Sequence, residues 1–245
     1  MPGLIALVLG IIVAVFLFTA PIPQDPTYHT FSDPRTLLGI ANFWNVASNL
    51  PFLVIGATGL VFVHRYSDEV CVALIATAYR VFFAGVLLTA FGSAYYHLAP
   101  ANETLVWDRL PMTIGFSALI TIIVGEFISP NGARRLLLPL LVLGFGSVEY
   151  WAWTEARGIG DLRPYAIVQF LPMLMIPVIL LSYRPSLGKT SYYWWMLLWY
   201  VLAKFFEFFD DTIFNLGHLI SGHSIKHVAA AMTPAVLLYS LTRRR

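Results

Sequence analysis

Three of the six histidines in this chain of 245 residues stand where they could bind one metal ion. His223 and His227 are four residues apart, so a helix places both imidazoles on one face, and such a pair is a known way to hold zinc. His97 can supply a third nitrogen from another segment. Three histidines with an open fourth position are the ligand set of a catalytic zinc ion, which polarises a carbonyl and activates water.

Two further polar residues are candidates for the same chemistry. Ser93 lies four residues before His97 and therefore shares its helix face. Asp108 is a carboxylate that could handle protons beside the metal. Other interpretations stay open: Asp108 can cap a helix that has Pro111 in its first turn, and His97 can be an interfacial histidine bonded to a neighbour. The later pair of histidines can also face lipid headgroups.

The amino-acid composition predicts what kind of protein carries these residues. Hydrophobic residues make up 58% of the chain, charged residues 11%, and the mean hydropathy is +0.74. A soluble domain needs about a quarter of its residues charged, so the composition excludes a water-soluble globule and predicts a polytopic membrane protein. The formal net charge of +2 gives no sign of a nucleic-acid partner. Cys71 is the single cysteine and cannot form an internal disulfide.

Apolar runs predict eight transmembrane helices, because backbone groups in hydrocarbon must be satisfied within their own segment. The runs cover residues 4–20, 44–63, 76–97, 110–128, 135–153, 165–183, 191–214 and 225–242. The first run lacks a preceding Lys or Arg and ends in prolines, which favours a retained helix over a cleaved signal peptide.

Basic residues in the links predict the orientation of the chain. Eight lie in the links after the second, fourth and sixth runs and in the tail: Arg65, Arg134, Arg135, Arg184, Lys189, Arg243, Arg244 and Arg245. The opposite links hold Arg35, Arg157 and Arg163, with Arg109 and Lys226 just inside the following helices. The positive-inside rule then places both termini in the cytoplasm. It also brings the three histidines and Asp108 to the non-cytoplasmic face, and their convergence predicts a metal site.

Other polar side chains at membrane depth have a structural interpretation. A stripe that enters the second run is expected to bond neighbouring helices together; it consists of Asn42, Asn45, Ser48 and Asn49. In the seventh run, Lys204 and Glu207 are three apart and are expected to neutralise each other. Glu207 and Asp211 share a face and could support a metal ligand from the second shell. The sequence assigns no part in the metal site to Asp210, and the role of Glu149 stays open.

Four segments together resemble the alkaline ceramidases. The stretch 42–50, NFWNVASNL, resembles the FWNxxSN signature of that family. Residues 92–97, GSAYYH, are similar to its GSxxxH motif, and 108–112, DRLPM, to the DExPM motif that follows. The histidine pair in 223–227 is similar to the HxxxH of its last helix. The resemblance spans about residues 41–230, and the order and spacing of the motifs make it specific.

The resemblance implies a seven-helix bundle around a zinc site that hydrolyses the amide of ceramide. His97, His223 and His227 would bind zinc, Asp108 would activate water and move its proton, and Ser93 would stabilise the oxyanion. Residues 41–245 would form the seven-helix core, and residues 1–40 an extra N-terminal transmembrane helix with a polar link. The expected partner is a membrane lipid substrate, with no obligatory protein partner.

The chain departs from the eukaryotic members of this family at several positions. Asn42 stands where they have a calcium-binding glutamate, so no calcium site is expected, although Asp25 and Asp33 are acidic. Arg109 replaces the acid that usually follows the catalytic aspartate. These features resemble the bacterial branch and imply a bacterial inner-membrane protein. Because many bacteria make no sphingolipid, the expected substrate is a ceramide-like or another N-acyl lipid.

Two other functions stay open. The wider superfamily includes adiponectin-type receptors, and a receptor or sensor could hold the same metal with little or no hydrolysis. A transporter could use Glu207, Asp210 and Asp211 as a proton or cation path. Transporters often carry paired repeats with broken helices, which this sequence does not show.

Overall fold

Residues 2–245 are described by a computed structural model, and this part of the chain is helical with no β-strand. The helices are α1 (Pro2–Phe18), α2 (Phe43–Ala47), α3 (Leu50–Val70), α4 (Ala76–Leu98), α5 (Asn102–Phe127), α6 (Pro130–Glu155), α7 (Arg163–Ser182), α8 (Thr190–Phe208), α9 (Asp210–Gly217) and α10 (Gly222–Thr242). Two single turns of 3-10 helix, Pro26–His29 and Ala73–Ile75, lie in the links. The prediction of an all-α fold is confirmed.

Five helical stretches in the described part of the chain are long and apolar enough to cross a membrane: Phe43–Val70, Ala73–Leu98, Asn102–Phe127, Pro130–Glu155 and Arg163–Ser182. Large apolar side chains, such as Leu138, Leu181 and Phe208, cover the outside of the bundle. A soluble protein rarely exposes such a surface, so the chain is a multi-pass membrane protein. α1 is apolar but shorter, and α8 and α10 carry charged and histidine residues, so the count of eight spans stays a prediction.

α5 is the central helix, since two thirds (67%) of its most apolar window is buried, more than in any other candidate span. α4, α6 and α7 pack against it. Near the polar end of the bundle, α4 meets α5 at Gly92. A Cβ at this position would lie 2.0 Å from the carbonyl oxygen of Trp107, so only glycine permits the close approach. This contact brings the end of α4, with His97, beside the start of α5, with Asp108.

Three helix boundaries differ from those expected. α5 begins at Asn102 rather than near Asp108, and the side chain of Thr104 accepts a hydrogen bond from the Ala101 N–H at 3.0 Å. Asp108 therefore lies in the second turn, and the interpretation of Asp108 as an N-cap is wrong. The seventh run breaks at Phe209 into α8 and α9, and the second run continues to Val70 after the short helix α2.

The link 19–42 folds over the same end of the bundle. The carbonyl of Ile22 accepts a hydrogen bond from the Leu162 N–H at 2.8 Å. Further along, Arg35 pairs with the buried Asp33 at 2.6 Å and donates to the carbonyl of Leu219 at 2.8 Å. The side chain of Phe31 is 7% exposed. The link is therefore a packed part of the fold that covers the ends of α4 and α10.

Candidate metal centre

His97, His223 and His227 form one buried cluster. His97 lies at the C-terminal end of α4, and the other two lie in the first two turns of α10, so two helix ends meet there. One ring nitrogen of each histidine lies within 4.8 Å of the others. Nε2 of His97 is 3.2 Å from Nε2 of His227. A tetrahedral zinc ion, with Zn–N bonds of about 2.0–2.1 Å, spaces its ligands about 3.3 Å apart. The cluster is therefore able to hold a metal ion.

The contacts of Ser48 indicate which nitrogen of His227 is free. Ser48 Oγ lies 2.8 Å from Nδ1 of His227 and 3.1 Å from the carbonyl oxygen of Asn45. We assign the serine hydrogen to the carbonyl, which makes Nδ1 the protonated nitrogen that donates to Ser48. The lone pair of His227 is then on Nε2, which faces His97. Metal-binding histidines almost always have such a partner on the second nitrogen.

The remaining ring nitrogens agree with a metal site. Nε2 of His223 is buried and has no hydrogen-bond partner among residues 2–245. A buried polar atom of this kind is costly unless it has a function, and metal ligation is the function that suits an imidazole nitrogen. Nδ1 of His97 also has no partner in this part of the chain, so the support from Ser48 applies to His227 alone.

Backbone contacts position the start of α10. The carboxylate of Asp210 accepts a hydrogen bond from the His223 N–H at 2.7 Å, next to the helix N-terminus, where a negative charge is favourable. Ser221 caps the helix through the Ser224 N–H at 3.2 Å. The Ser224 hydroxyl donates in turn to Asn45 at 2.7 Å. These bonds hold α10 against the segment that contains Ser48.

Phe31 forms a roof over the cluster. The centroid of its ring lies 4.7 Å from that of His97 and 4.9 Å from that of His223. The hydroxyl of Ser32, the next residue, donates to Asp210 at 2.8 Å and ties the roof to the start of α9. The cluster is thus covered on its polar side by the link 19–42.

The cluster also borders a cavity of about 420 Å³ through His227. Ser93, Asp108 and His227 all line it, and the side chains of Ser93 and Asp108 lie beside each other. Most of the wall is apolar, with contributions from α3, α4, α5, α7, α8 and α10: Phe52, Phe82, Val86, Phe116, Ala203 and Pro234. The structure thus groups the three predicted histidines in one cluster, and Ser93, Asp108 and His227 line one cavity.

The predicted supporting acids lie elsewhere. Glu207 accepts from Lys204, as expected, and also from Lys226 at 2.7 Å. Asp211 lies against the same Ser32 hydroxyl that donates to Asp210, and neither Glu207 nor Asp211 bonds to a histidine of the cluster in the described structure. Glu149 is exposed on α6. The acid that contacts a candidate ligand residue is Asp210, through the backbone N–H of His223, and the sequence did not assign Asp210 to the metal site.

Several site residues could not be identified from the sequence. Ser48 and Asn45 belong to the polar stripe that was expected to bond helices together, and they do so while also fixing His227. Asn42, in the same stripe, donates to the carbonyl of His97 at 2.9 Å. Phe31 carries no signal, because an aromatic residue in a polar link is unremarkable without the fold.

Neither models of known protein families nor curated protein sequences match this chain. Its class therefore follows from fold and site: a multi-pass helical membrane protein in which three buried histidines can hold a metal ion next to an apolar cavity.

Proposed function

We propose that this protein is an integral membrane, zinc-dependent hydrolase that cleaves the amide bond of a ceramide-like or other N-acyl lipid. The observation that carries the proposal is the position of Asp108 and Ser93. Both line a largely apolar cavity, and His227 of the three-histidine cluster lines the same cavity. One cavity therefore offers apolar space for acyl chains and polar groups that could serve amide hydrolysis.

The polar groups have distinct parts in the reaction. The three histidines would hold zinc, which would supply a Lewis acid to polarise the carbonyl and lower the pKa of water. Asp108 takes the proton of the attacking water and passes it to the leaving amine, as a general base and then a general acid. The Ser93 hydroxyl donates a hydrogen bond to the carbonyl oxygen as negative charge develops on it. A C–O bond forms, the C–N bond breaks, and the products are a fatty acid and an amine.

The cavity supports a lipid as substrate. Its volume of about 420 Å³ lies within the range of roughly 300–1,000 Å³ that ligand sites have. The wall away from the histidines is formed by aromatic and aliphatic side chains such as Phe82, Val86 and Phe116. An acyl chain lies along this wall while its amide reaches Asp108.

The same proposal includes the arrangement in the membrane. Residues 41–245 form a seven-helix core, and α1 with its link is an addition at the N-terminus. The protein lies in a bacterial inner membrane with its C-terminus in the cytoplasm and its metal centre near the non-cytoplasmic face. The distribution of Lys and Arg supports this orientation.

The experiment is hydrolysis of N-palmitoyl lipids by protein purified in detergent, with fatty-acid release as the readout. Asp108→Asn keeps the size of the side chain and removes the base, so release is expected to fall by about 10²–10⁴-fold. Glu149→Gln changes an exposed acid and serves as the matched control. Metal content is measured on every sample and should be the same in both variants. Full metal occupancy without fatty-acid release from any N-acyl lipid would contradict the proposal and favour a receptor or sensor.

A further inference from the structure

Arg109 is a buried cation in the wall of the cavity, directly after Asp108. Its side chain lines the cavity although the residue is only 5% exposed. Nη2 donates to the side-chain oxygen of Gln24 at 2.6 Å. Nη1 is buried without a hydrogen-bond partner, and Arg109 forms no ion pair with any residue between 2 and 245. Buried charges are normally paired, so this guanidinium is a group without its counter-charge.

Aromatic rings hold the guanidinium in place. Its central carbon lies 4.1 Å from the centroid of Trp151 and 4.8 Å from that of Tyr165, with Tyr28 at 5.9 Å. The ring faces attract the cation and fix its plane, but they carry no net charge to neutralise it. The N–H donors of the Arg109 guanidinium are therefore held in a fixed orientation. Its positive charge still has no anionic partner.

Two further cations line the same cavity. Lys204 and Lys226 share Glu207 as their common partner, and all three side chains line the wall. Together with Arg109 and Asp108, the wall carries three cations and two carboxylates. The imbalance of one positive charge points to an anionic ligand, since a rigid guanidinium binds carboxylates and phosphates through parallel hydrogen bonds.

We propose that Arg109 binds an anionic group on the head of the lipid, so that the substrate class is an N-acyl amphiphile with a carboxylate or phosphate close to its amide. The assignment rests on the proposed hydrolysis, because Asp108 serves the amide and Arg109 lines the same cavity. A free acidic head on a short linker from the amide nitrogen lets one lipid contact both residues.

The test is lipid binding to the full chain in detergent, measured by displacement of a fluorescent fatty acid. N-palmitoylglycine is compared with the neutral N-palmitoylethanolamine, and ceramide 1-phosphate with ceramide. The protein should bind at least one anionic lipid about tenfold or more tightly than its neutral match, since hydrogen bonds to charged groups are the strong ones. The comparison with N-palmitoylglycine tests for a carboxylate ligand, and the comparison with ceramide 1-phosphate tests for a phosphate ligand. Equal affinity within both pairs would overturn the assignment.

Variants of Arg109 test whether the preference for anionic lipids depends on this residue. Arg109→Gln is expected to abolish the preference, and Arg109→Lys to keep part of it through the retained charge. The matched control is Arg157→Gln, because Arg157 also stacks on a tryptophan, Trp153 at 3.7 Å, but is exposed outside the cavity. A preference that persists in folded Arg109→Gln would contradict the proposal. If Arg109→Gln does not fold, the unmodified protein and Arg109→Lys decide.

Binding also separates this inference from the hydrolase proposal. An anionic preference without fatty-acid release from any lipid would contradict hydrolysis and leave the anion site standing. Release from neutral and anionic lipids alike, with equal affinities, would contradict the anion site alone.

Discussion

Ser48 Oγ lies 2.8 Å from Nδ1 of His227, and the two residues are 179 positions apart in the chain. With the serine hydrogen assigned to the carbonyl of Asn45, the imidazole donates to Ser48. This assignment gives the ring the tautomer whose Nε2 can bind a metal. The geometry of the candidate metal centre thus depends on contact between the C-terminal end of α2 and the start of α10.

Ser48→Ala removes the hydroxyl that accepts from His227 and leaves all three candidate ligands unchanged. Loss of an outer-shell partner typically lowers metal affinity by about 10–100-fold, and we expect a decrease of that size. Competition with a metal chelator on purified protein measures it. Ser240→Ala is the control. Ser240 is buried in α10, the helix that also carries His227, and its hydroxyl donates to the carbonyl of Leu237 in that helix. Unchanged metal affinity in Ser48→Ala would contradict the assigned tautomer.

Phe31→Ala removes the ring that covers His97 and His223. Water and chelators should then reach the cluster from the polar side, and we expect faster metal loss to a chelator and a lower unfolding temperature. Truncating a buried phenylalanine costs about 3–5 kcal/mol in soluble proteins. Phe208→Ala is the control because that ring is 81% exposed on the outer surface. Metal release at the same rate in both variants would show that Phe31 is not a barrier.

The sequence predicted the ligands better than their surroundings. Local spacing placed His223 and His227 on one face, and loop topology brought His97 to the same end, so the cluster follows from short-range rules. The roof at Phe31 and the bond from Ser48 to His227 join segments more than 60 residues apart along the chain, and no local pattern encodes such pairings. The alternative interpretation of Asp108 as an N-cap was wrong because α5 starts about two turns earlier, where Thr104 accepts from the Ala101 N–H.

A buried ion pair stabilises the opposite end of the bundle. Arg244 donates to Glu126 at 2.5 Å, with side-chain exposures of 6% and 0%, and Tyr193 also donates to this carboxylate. Arg244→Met leaves the buried carboxylate uncompensated, so the free energy of unfolding should fall by about 3–5 kcal/mol. Adding Glu126→Gln removes the unpaired charge and should recover part of the loss. Denaturant unfolding in detergent measures both changes.

Arg245→Met is the control for that pair. Arg245 contacts Glu69 at 3.3 Å, and both side chains are about half exposed (50% and 54%), so its loss should cost less than about 1 kcal/mol. Equal effects of Arg244→Met and Arg245→Met would mean that the buried pair contributes no more than a surface pair.

Asp161, in the loop between α6 and α7, predicts an acid-sensitive contribution to stability. Hydrogen bonds from the Arg163 side chain and N–H hold the pKa of Asp161 below its ordinary value. The contribution is therefore fully present above the unfolded pKa of about 3.9 and is lost as pH falls through the lower folded pKa. Asp161→Asn should lower the unfolding midpoint at pH 7 and bring it close to that of the unmodified protein at the most acid pH. Parallel midpoint curves from pH 7 to pH 3 would contradict this.

Metal content of the purified protein tests the central claim most directly. After equilibration with zinc and removal of the excess, elemental analysis should find about one zinc ion per chain. His97→Ala, His223→Ala and His227→Ala should each lose it, while His64→Ala, which changes an exposed histidine on α3, should keep it. A chain that binds no metal, or that binds the same amount in all four variants, would contradict a metal centre at these three histidines.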